Sequence, residues 1–445
     1  MPQPTLSLTQ GTYAGALEAE GGAEAFRGIP YAHTTRLHPP VPVHTDTRAS
    51  PIDATRQGPT AIAPRSRLEA VMGRESDAGP QSEDAAVLSV YRPPLAHALP
   101  ILFWIHGGGF SSGSSQASQY DGGRLARDAH AVVVCANYRL GLLGFIYDPE
   151  PSHQPTPAEA FGVQDLTAAL EWVASNAGAL GGDAGNITVL GQSAGGLLTA
   201  ELLVLHPQLV ARAIVQSSVA NLLASVPQAL AIRDVAASLV PAGQTLATIT
   251  PEQALSVQAE TAAALPALGL DLGPGFPFFP VLPPAAGPGG ARSNPNPDVA
   301  PSSARPPVLV TYAANDGYMY GLAARAAGLR EAEVEALPAT ALRTNAAWAT
   351  ASTDYAQFLR ARGHAVALAE FVWRPRGSEF GAVHTIDVPL LFGTRAAWAG
   401  APMLGGESWD EVDARGREVR RAWGGFARGV WPETIDGVLE VLEAA

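Results

Sequence analysis

The chain has 445 residues, of which 47% are hydrophobic and 16% charged, and its formal net charge is −13 at pH 7. This composition excludes a mainly disordered protein and is typical of a globular protein with a substantial core. An acidic surface repels phosphate backbones, so the charge also argues against nucleic-acid binding.

The only cysteine, Cys135, lies in the apolar run AVVVCANY. We interpret it as a buried strand residue and not as a reactive thiol, and no intrachain disulfide can form. The N-terminal stretch MPQPTLSLTQGTYAG lacks the basic and apolar regions of a signal peptide. No run of about 18 apolar residues predicts a membrane span. We therefore expect a cytoplasmic protein, and its oligomeric state stays open.

Alternation of strands and helices is the main pattern along the chain. Short alternating segments predict an N-terminal hairpin within residues 5–31, and residues 36–80, rich in proline and polar residues, predict irregular surface. The later rhythm predicts an α/β class with a mostly parallel twisted sheet and helices on both faces. Strands are predicted at 82–93, 101–105, 131–138, 187–190, 213–217, 308–312 and 365–375. Helices are predicted at 121–129, 158–176, 228–240, 251–264, within 319–362 and at 409–427.

The alternation loosens between residues 221 and 306. Two alanine-rich helical stretches lead there into GPGFPFFPVLPPAAGPGG. Because helices flank this segment and aromatic residues fill it, it does not resemble a linker between independent domains. We interpret residues 221–306 as a helical cap inserted into one domain that spans residues 1–445.

A candidate nucleophile lies in NITVLGQSAGGLLTAELLVL, residues 186–205. An apolar strand meets a tight turn and passes at once into a helix, with Ser193 at the apex. Gly191 and Gly195 suit this turn because a strained residue crowds its neighbours. The turn exposes Ser193 Oγ at the end of the sheet and directs the amide of Ala194, at a helix N-terminus, toward it. Taken alone, the five-residue pattern also occurs in ordinary surface turns.

Ser193 would need an imidazole to accept its proton and a carboxylate to orient that imidazole. In a parallel sheet such groups converge from loops at the carboxyl ends of the strands. The strand at 308–312 leads to Asp316, and the loop after the strand at 365–373 carries His384. Alone, Asp316 also fits a turn residue and His384 a solvated loop histidine. In combination with Ser193 they predict a catalytic triad.

A second signal is the segment HGGGF, residues 106–110, at the end of an early buried strand. Glycines let the main chain approach a reacting carbonyl closely and aim amides at it. We predict an oxyanion hole formed by the amides of Gly108, Gly109 and Ala194. A merely flexible turn is the alternative, whereas a phosphate-binding loop is disfavoured because GxxxxGK[ST] is absent.

Seven segments resemble, in this order, the signature blocks of the type-B carboxylesterases, the family that includes the cholinesterases: FRGIPYA, SEDAAVLSVYRP, WIHGGGF, NYRLGLLGF, GGDAGNITVLGQSAGG, ANDG and GAVHTIDVPLLFG. The resemblance implies the α/β-hydrolase fold, with Ser193 as nucleophile, His384 as base and Asp316 where the family more often has glutamate. Neither a metal nor an organic cofactor is expected. The resemblance also implies two structural ion pairs, Arg27 with Glu83 and Arg139 with Asp165.

The chain departs from the family pattern near these motifs. Ala85 and Ala86 stand where the family usually has a disulfide cysteine and its neighbour. Gln192 replaces the commoner glutamate before the serine, which removes a charge beside the nucleophile. Thr385 follows the histidine where glycine is usual. The cap and C-terminal part are also shorter, which predicts a shallower gorge.

Phe276, Phe278 and Phe279 form an aromatic cluster just before a Pro-Val step. The resembling esterases place residues of their acyl pocket at this point. Such a cluster also fits plain core, but the prolines around it favour an irregular, rigid wall. The candidate pocket residues are Phe110, Phe276, Phe278, Phe279, Leu391 and Phe392.

The sequence thus predicts a serine carboxylesterase that hydrolyses small-molecule carboxylic esters, with short to medium acyl chains, through an acyl-enzyme. An amidase, lactonase or carbamate hydrolase with the same triad stays open, because nothing in the sequence sets the leaving group. A non-catalytic interaction protein on this fold is the alternative from another class. The presence of all three triad candidates argues against it.

Overall fold

The computed structural model describes residues 3–18, 20, 22–43, 51–74, 79–147, 160–218, 223–265, 278–281, 305–318 and 344–445. The strands in these ranges are β1 (Thr5–Leu8), β2 (Gly11–Ala14), β3 (Ala16–Leu17), β4 (Glu24–Pro30), β5 (Ala32–His33), β6 (Val41–Pro42), β7 (Ile52–Asp53), β8 (Thr60–Ala61), β9 (Gln81–Ser82), β10 (Val87–Arg92), β11 (Leu99–Ile105), β12 (Val132–Ala136), β13 (Gly182–Gln192), β14 (Arg212–Gln216), β15 (Val308–Ala313), β16 (Val366–Phe371) and β17 (Leu439–Glu443). The α-helices are α1 (Glu69–Met72), α2 (Gly123–Ala129), α3 (Gly141–Phe145), α4 (Phe161–Leu180), α5 (Ala194–Leu205), α6 (Val226–Ser238), α7 (Pro251–Ala264), α8 (Asn345–Arg360), α9 (Asp387–Leu391) and α10 (Trp409–Ala427).

A ten-stranded sheet forms the centre of the described part of the chain, in the order β17-β16-β15-β14-β13-β11-β12-β10-β4-β3. The strands from β16 to β12 pair in parallel. The two edges pair antiparallel, through β17 on one side and β10, β4 and β3 on the other. The predicted mostly parallel sheet is therefore confirmed for the centre, and the antiparallel strands lie at its edges.

Helices cover both faces of this sheet, as predicted. Side chains alternate along β11, so Phe103 joins one core and Trp104 the other. The first core includes residues of α4, α5 and α8, and the second includes residues of α2, α9 and α10. Central strands therefore carry apolar residues on both faces, which explains their continuous apolar runs.

Most predicted elements are confirmed with small shifts in their ends. The N-terminal hairpin is β1 paired with β2, and the C-terminal helix matches α10. Between residues 36 and 80, the described residues hold only two-residue strands and the short helix α1. Strand β17 has no counterpart among the predicted elements, because its side chains are mostly exposed and form no apolar run. The part of the predicted helical region at 319–343 lies outside the described residues.

Cys135 is fully buried in β12, which confirms the prediction, and burial raises the pKa of its thiol. Within the described ranges, no helix combines the length and apolarity needed to cross a membrane.

One predicted ion pair is correct and the other is wrong. Arg139 contacts Asp165 with a nitrogen–oxygen distance of 2.7 Å, and both side chains are buried. Arg27 instead contacts Glu18 at 2.5 Å and Asp121 at 2.6 Å. The contact with Asp121 spans 94 residues of chain and depends on how the loop before α2 folds back over β4. Glu83 pairs with Arg36.

The connection from β14 to β15 covers the residues predicted to form the cap. Its helices α6 and α7 begin at capping boxes, formed by Ser225 with Gln228 and by Thr250 with Gln253. Residues 219–222, 266–277 and 282–304 lie outside the described part of the chain. The limits of the cap and its place in a single domain therefore stay predictions.

Candidate active site

Ser193 lies at the turn between β13 and α5. Its backbone angles, φ 59° and ψ −124°, are strained for a residue with a side chain. The Ser193 amide donates a hydrogen bond of 2.9 Å to the carbonyl of Gln216 on the neighbouring strand β14. Sheet and helix together therefore hold Ser193 in this conformation.

The glycines on either side of Ser193 are needed for close approach, as the sequence predicts. A Cβ atom on Gly191 would lie 2.3 Å from the carbonyl oxygen of Gly195. A Cβ atom on Gly195 would lie 2.1 Å from the carbonyl oxygen of Ile105, at the end of β11. Any side chain at either position would push the start of α5 away from the sheet.

The structure brings Asp316 and His384 together. The Nδ1 atom of His384 lies 2.7 Å from Asp316 Oδ1, and both side chains are fully buried. The other carboxylate oxygen, Oδ2, accepts a hydrogen bond of 2.7 Å from the amide of Ala313. Since a carboxylate accepts, the Nδ1 atom carries the proton, and the lone pair of Nε2 points away from Asp316.

The imidazole of His384 also reaches the residue before Ser193. The Nε2 atoms of Gln192 and His384 are 3.3 Å apart, and Gln192 is buried. An amide nitrogen only donates, so Gln192 directs a hydrogen toward the lone pair of His384 Nε2. The base candidate therefore lies at the end of β13, against the residue that precedes Ser193.

Thr385, the residue after His384, has a φ of 78°. This is the left-handed region, which favours glycine and is unusual for a β-branched residue. The backbone conformation explains why glycine is usual at this position. Thr385 Oγ1 donates a weak hydrogen bond of 3.6 Å to Met403 Sδ. This contact helps to hold the turn in place.

The glycine segment packs directly against the serine turn. A Cβ atom on Gly107 would lie 3.1 Å from Ser193 Cβ and 2.9 Å from the carbonyl oxygen of Gln192. Gly108 and Gly109 have φ values of 113° and 60°, which favour glycine. The carbonyl of Gly108 accepts hydrogen bonds from the amides of Ser111 at 3.2 Å and Ser112 at 3.1 Å. Hydrogen bonds from these two serine amides to the Gly108 carbonyl thus hold the backbone of this segment in place.

Asp387 is a second buried acid near Asp316 and His384, and it was not predicted as a site residue. Gln216 Nε2 donates a hydrogen bond to Asp387 Oδ2, while Oδ1 is buried without a hydrogen-bond partner among the described residues. Burial, reinforced by the negative charge of Asp316, raises the pKa of Asp387 from 3.8 to about 7. An acid within the apolar run TIDVPLLF was the available signal.

Trp348, on α8, covers His384. The two ring centroids are 4.7 Å apart and the planes are tilted by 50°. Trp348 is itself buried, so it shields one face of the imidazole from solvent. The sequence carried no signal for this contact, because a single tryptophan in an alanine-rich helix is usually core.

The candidate pocket residues separate into two groups. Phe110 lies 5.7 Å from Phe279 and 5.2 Å from Phe145 between ring centroids, and Phe278 belongs to the same core. Leu391 and Phe392 are fully buried in the core on the opposite face of the sheet. Phe392 packs on Trp104 with a centroid distance of 4.5 Å. This packing does not favour the pocket role predicted for Leu391 and Phe392, and Phe276 lies outside the described residues.

Within the part of the chain that the structure describes, no cluster of three or more His, Cys, Asp or Glu side chains could hold a metal ion.

A serine at a strained strand-to-helix turn, on a mostly parallel sheet with helices on both faces, defines the α/β-hydrolase fold. The comparisons with known proteins agree with this class. The sequence profile of the Carboxylesterase family matches residues 2–253. The chain therefore belongs to the carboxylesterase family and is a carboxylic ester hydrolase, as the signature blocks imply.

Two relatives and one solved structure illustrate the similarity. The chain is 33% identical over 435 residues to a probable N-octanoylanthranilate hydrolase of Rhodococcus erythropolis, covering 95% of this chain and 92% of that protein. It is 28% identical over 461 residues to the para-nitrobenzyl esterase of Bacillus subtilis, covering 93% and 88%. The structure of a thermophilic PNB esterase matches with a TM-score of 0.76 at 26% identity, over 99% of this chain and 94% of that one.

Proposed function

We propose that the chain is a serine esterase in which Ser193 is the nucleophile, His384 the general base and Asp316 the carboxylate that orients the base. The observation that supports this proposal most directly is the buried 2.7 Å contact between His384 Nδ1 and Asp316 Oδ1. It fixes the tautomer in which Nε2 of His384, the nitrogen that faces Gln192, is the one that accepts a proton.

In the proposed reaction, Ser193 Oγ attacks the ester carbonyl while His384 Nε2 takes the hydroxyl proton. The amides of Gly108, Gly109 and Ala194 stabilise the negative oxygen of the tetrahedral intermediate. His384 then protonates the leaving alcohol, and an acyl-enzyme remains on Ser193. Water, activated by the same imidazole, releases the acid and restores the serine.

Phe110 and Phe279 support a proposed acyl pocket. Both rings contact each other near the glycine segment, since Phe110 directly follows Gly109. An aromatic wall of this kind favours apolar acyl groups of short to medium length.

Amide hydrolysis is a second candidate. The relative named as a probable N-octanoylanthranilate hydrolase covers nearly the whole chain, and its name specifies an N-acyl substrate. The same triad and oxyanion hole serve both reactions, because acyl transfer to serine is common to them. We propose comparing p-nitrophenyl octanoate with N-octanoylanthranilate and with p-nitrooctananilide. A higher kcat/KM for the ester supports the esterase proposal, whereas a higher value for either amide favours this second candidate.

Substitution of the nucleophile tests the proposed function. We expect Ser193→Ala to abolish turnover of p-nitrophenyl butyrate and labelling by a fluorophosphonate probe, with an unchanged circular dichroism spectrum. Ser256→Ala, on the exposed surface of α7, is the matched control and should retain both. Most activity remaining in Ser193→Ala, or a label found on another residue, would overturn the assignment.

A further inference from the structure

We propose that His106 is a positioning residue that sets the orientation of the peptide between Gly107 and Gly108, and with it the direction of the Gly108 amide. This inference rests on the proposed function, because the Gly108 amide matters only if an oxyanion forms next to Ser193. His106 acts on the backbone of the glycine segment and does not contact the substrate.

The hydrogen bond between His106 and the next residue supplies the geometry. His106 Nδ1 lies 2.8 Å from the carbonyl oxygen of Gly107. A carbonyl only accepts, so Nδ1 carries the proton and donates it. In a planar trans peptide the C=O of one residue and the N–H of the next point in opposite directions. Holding the Gly107 carbonyl toward the imidazole therefore turns the Gly108 N–H away from it.

The imidazole that makes this contact is itself held rigidly. Its ring stacks on Tyr138 with a centroid distance of 4.5 Å and an angle of 22°. The hydroxyl of Tyr138 donates a 2.9 Å hydrogen bond to the carbonyl oxygen of His106. Tyr138 thus fixes both the ring and the backbone of His106, and the donor atom has little freedom to turn away from Gly107.

The protonation state of His106 is consistent with a single donor. The side chain is fully buried, and its Nε2 atom has no hydrogen-bond partner among the described residues. A second proton on Nε2 would create a buried charge with an unpaired N–H, which is costly. Burial accordingly lowers the pKa of His106 to about 4, and the ring stays neutral at neutral pH.

The backbone of Gly113 packs closely against this hydrogen bond. A Cβ atom on Gly113 would lie 2.7 Å from the Gly107 carbonyl oxygen and 2.8 Å from His106 Nδ1. The following carbonyl, that of Gly108, is held by the amides of Ser111 and Ser112. His106 thus holds the Gly107 carbonyl through a hydrogen bond, as the two serine amides hold the Gly108 carbonyl.

Three substitutions at His106 separate orientation from packing. His106→Phe keeps a ring that can stack on Tyr138 but removes the donor. His106→Asn loses the ring but places an amide nitrogen near the position of Nδ1. His106→Gln is similar to asparagine in polarity, but its amide nitrogen lies nearer the position of Nε2.

We expect His106→Phe to lower kcat for p-nitrophenyl butyrate on the order of tenfold to a hundredfold, up to the lower end of the loss seen when an oxyanion donor is removed outright, because the Gly108 amide is still present but less well oriented. KM should change little. His106→Asn should retain most of kcat, although it should be less stable than His106→Phe because it lacks the ring. His106→Gln should resemble His106→Phe in kcat. The inhibition constant of a trifluoromethyl ketone, which forms an oxyanion on serine, should rise in proportion to the loss of kcat.

A merely structural role gives a different pattern. The inference is overturned if kcat is unchanged in His106→Phe, or if kcat falls in the three variants only in proportion to their melting temperatures. If His106→Phe does not fold, the comparison of His106→Asn with His106→Gln decides the question in the same way. Absence of ester turnover and of fluorophosphonate labelling in the unsubstituted enzyme would instead refute the proposed function.

Discussion

Asn315 and Ala382 are joined by two hydrogen bonds. The Asn315 amide donates to the Ala382 carbonyl at 2.9 Å, and the Ala382 amide donates to Asn315 Oδ1 at 3.0 Å. These bonds link the loop after β15 to the loop after β16, directly before Asp316 and shortly before His384. The buried contact between Asp316 and His384 is therefore supported by a clamp of one backbone and one side-chain hydrogen bond between two separate loops.

Loss of this clamp should weaken the site. Asn315→Ala leaves the Ala382 amide without its acceptor, which typically costs about 1–3 kcal/mol when the group is buried. We expect a lower kcat for p-nitrophenyl butyrate together with a modest fall in melting temperature. Asn176→Ala, which removes an asparagine within α4, should leave kcat unchanged. Equal kcat in both variants would show that the loops keep their positions without the clamp.

Asp316→Asn tests the orientation of His384, the proposed base. An asparagine amide can donate to His384 Nδ1, so the imidazole would carry its proton on Nε2 and could not accept one from Ser193. By analogy with serine hydrolases in general, kcat should fall on the order of 10⁴-fold with little loss of stability. The measurement is kcat at pH 8 with the melting temperature as control. A fall of less than about tenfold would mean that another group orients His384.

Asp387 should make the stability of the protein depend on pH. Its pKa is raised from 3.8 to about 7 in the folded state, so the folded state holds the proton more tightly than the unfolded state. The free energy of unfolding should therefore fall as pH rises from about 4 to 7 and level off above that range. Asp387→Asn removes this loss, so its stability relative to the unsubstituted protein should increase over the same range. Urea denaturation at about pH 5, 6, 7 and 8 measures this difference.

The matched control for Asp387→Asn is Asp410→Asn, whose carboxylate is exposed. Its stability difference from the unsubstituted protein should stay nearly constant between these pH values. A constant difference for Asp387→Asn as well would contradict the raised pKa.

Gln192→Glu should move the pH dependence of catalysis. A carboxylate at this position would lie close to His384 Nε2, where Gln192 Nε2 is now 3.3 Å away. The added negative charge favours the protonated imidazole, so the acidic limb of the kcat/KM profile should move to higher pH. Gln192→Met, which is neutral, should keep the limb where it is. Identical profiles for the glutamate and methionine variants would refute this effect of charge.

Asp165→Ala should be among the most destabilising single substitutions in the chain. Asp165 is fully buried and accepts hydrogen bonds from the amide and the guanidinium of Arg139. Removing one partner of a buried pair leaves an uncompensated charge, which costs about 3–5 kcal/mol. Asp410→Ala breaks the exposed pair with Arg395 and should change stability by no more than about 1 kcal/mol. Guanidinium denaturation of both variants gives the comparison, and equal losses would contradict it.

The sequence by itself determined the local features of the site. The turn around Ser193, the glycine segment and the order of strands and helices were all predictable. Each depends on contacts between near neighbours in the chain or on periodic burial. Gly191 and Gly195 are needed because of crowding within the turn and at the adjacent strand end, which a short motif can encode.

Only the tertiary structure decided which distant side chains meet. The cover of His384 by Trp348, the pairing of Gln216 with Asp387 and the true partners of Arg27 join parts of the chain far apart in sequence. Phe392 likewise belongs to the opposite core because of the way α9 packs against the sheet. Composition and periodicity indicate that such residues are buried. Which residues they contact depends on the loop paths and on the face of the sheet that each helix covers.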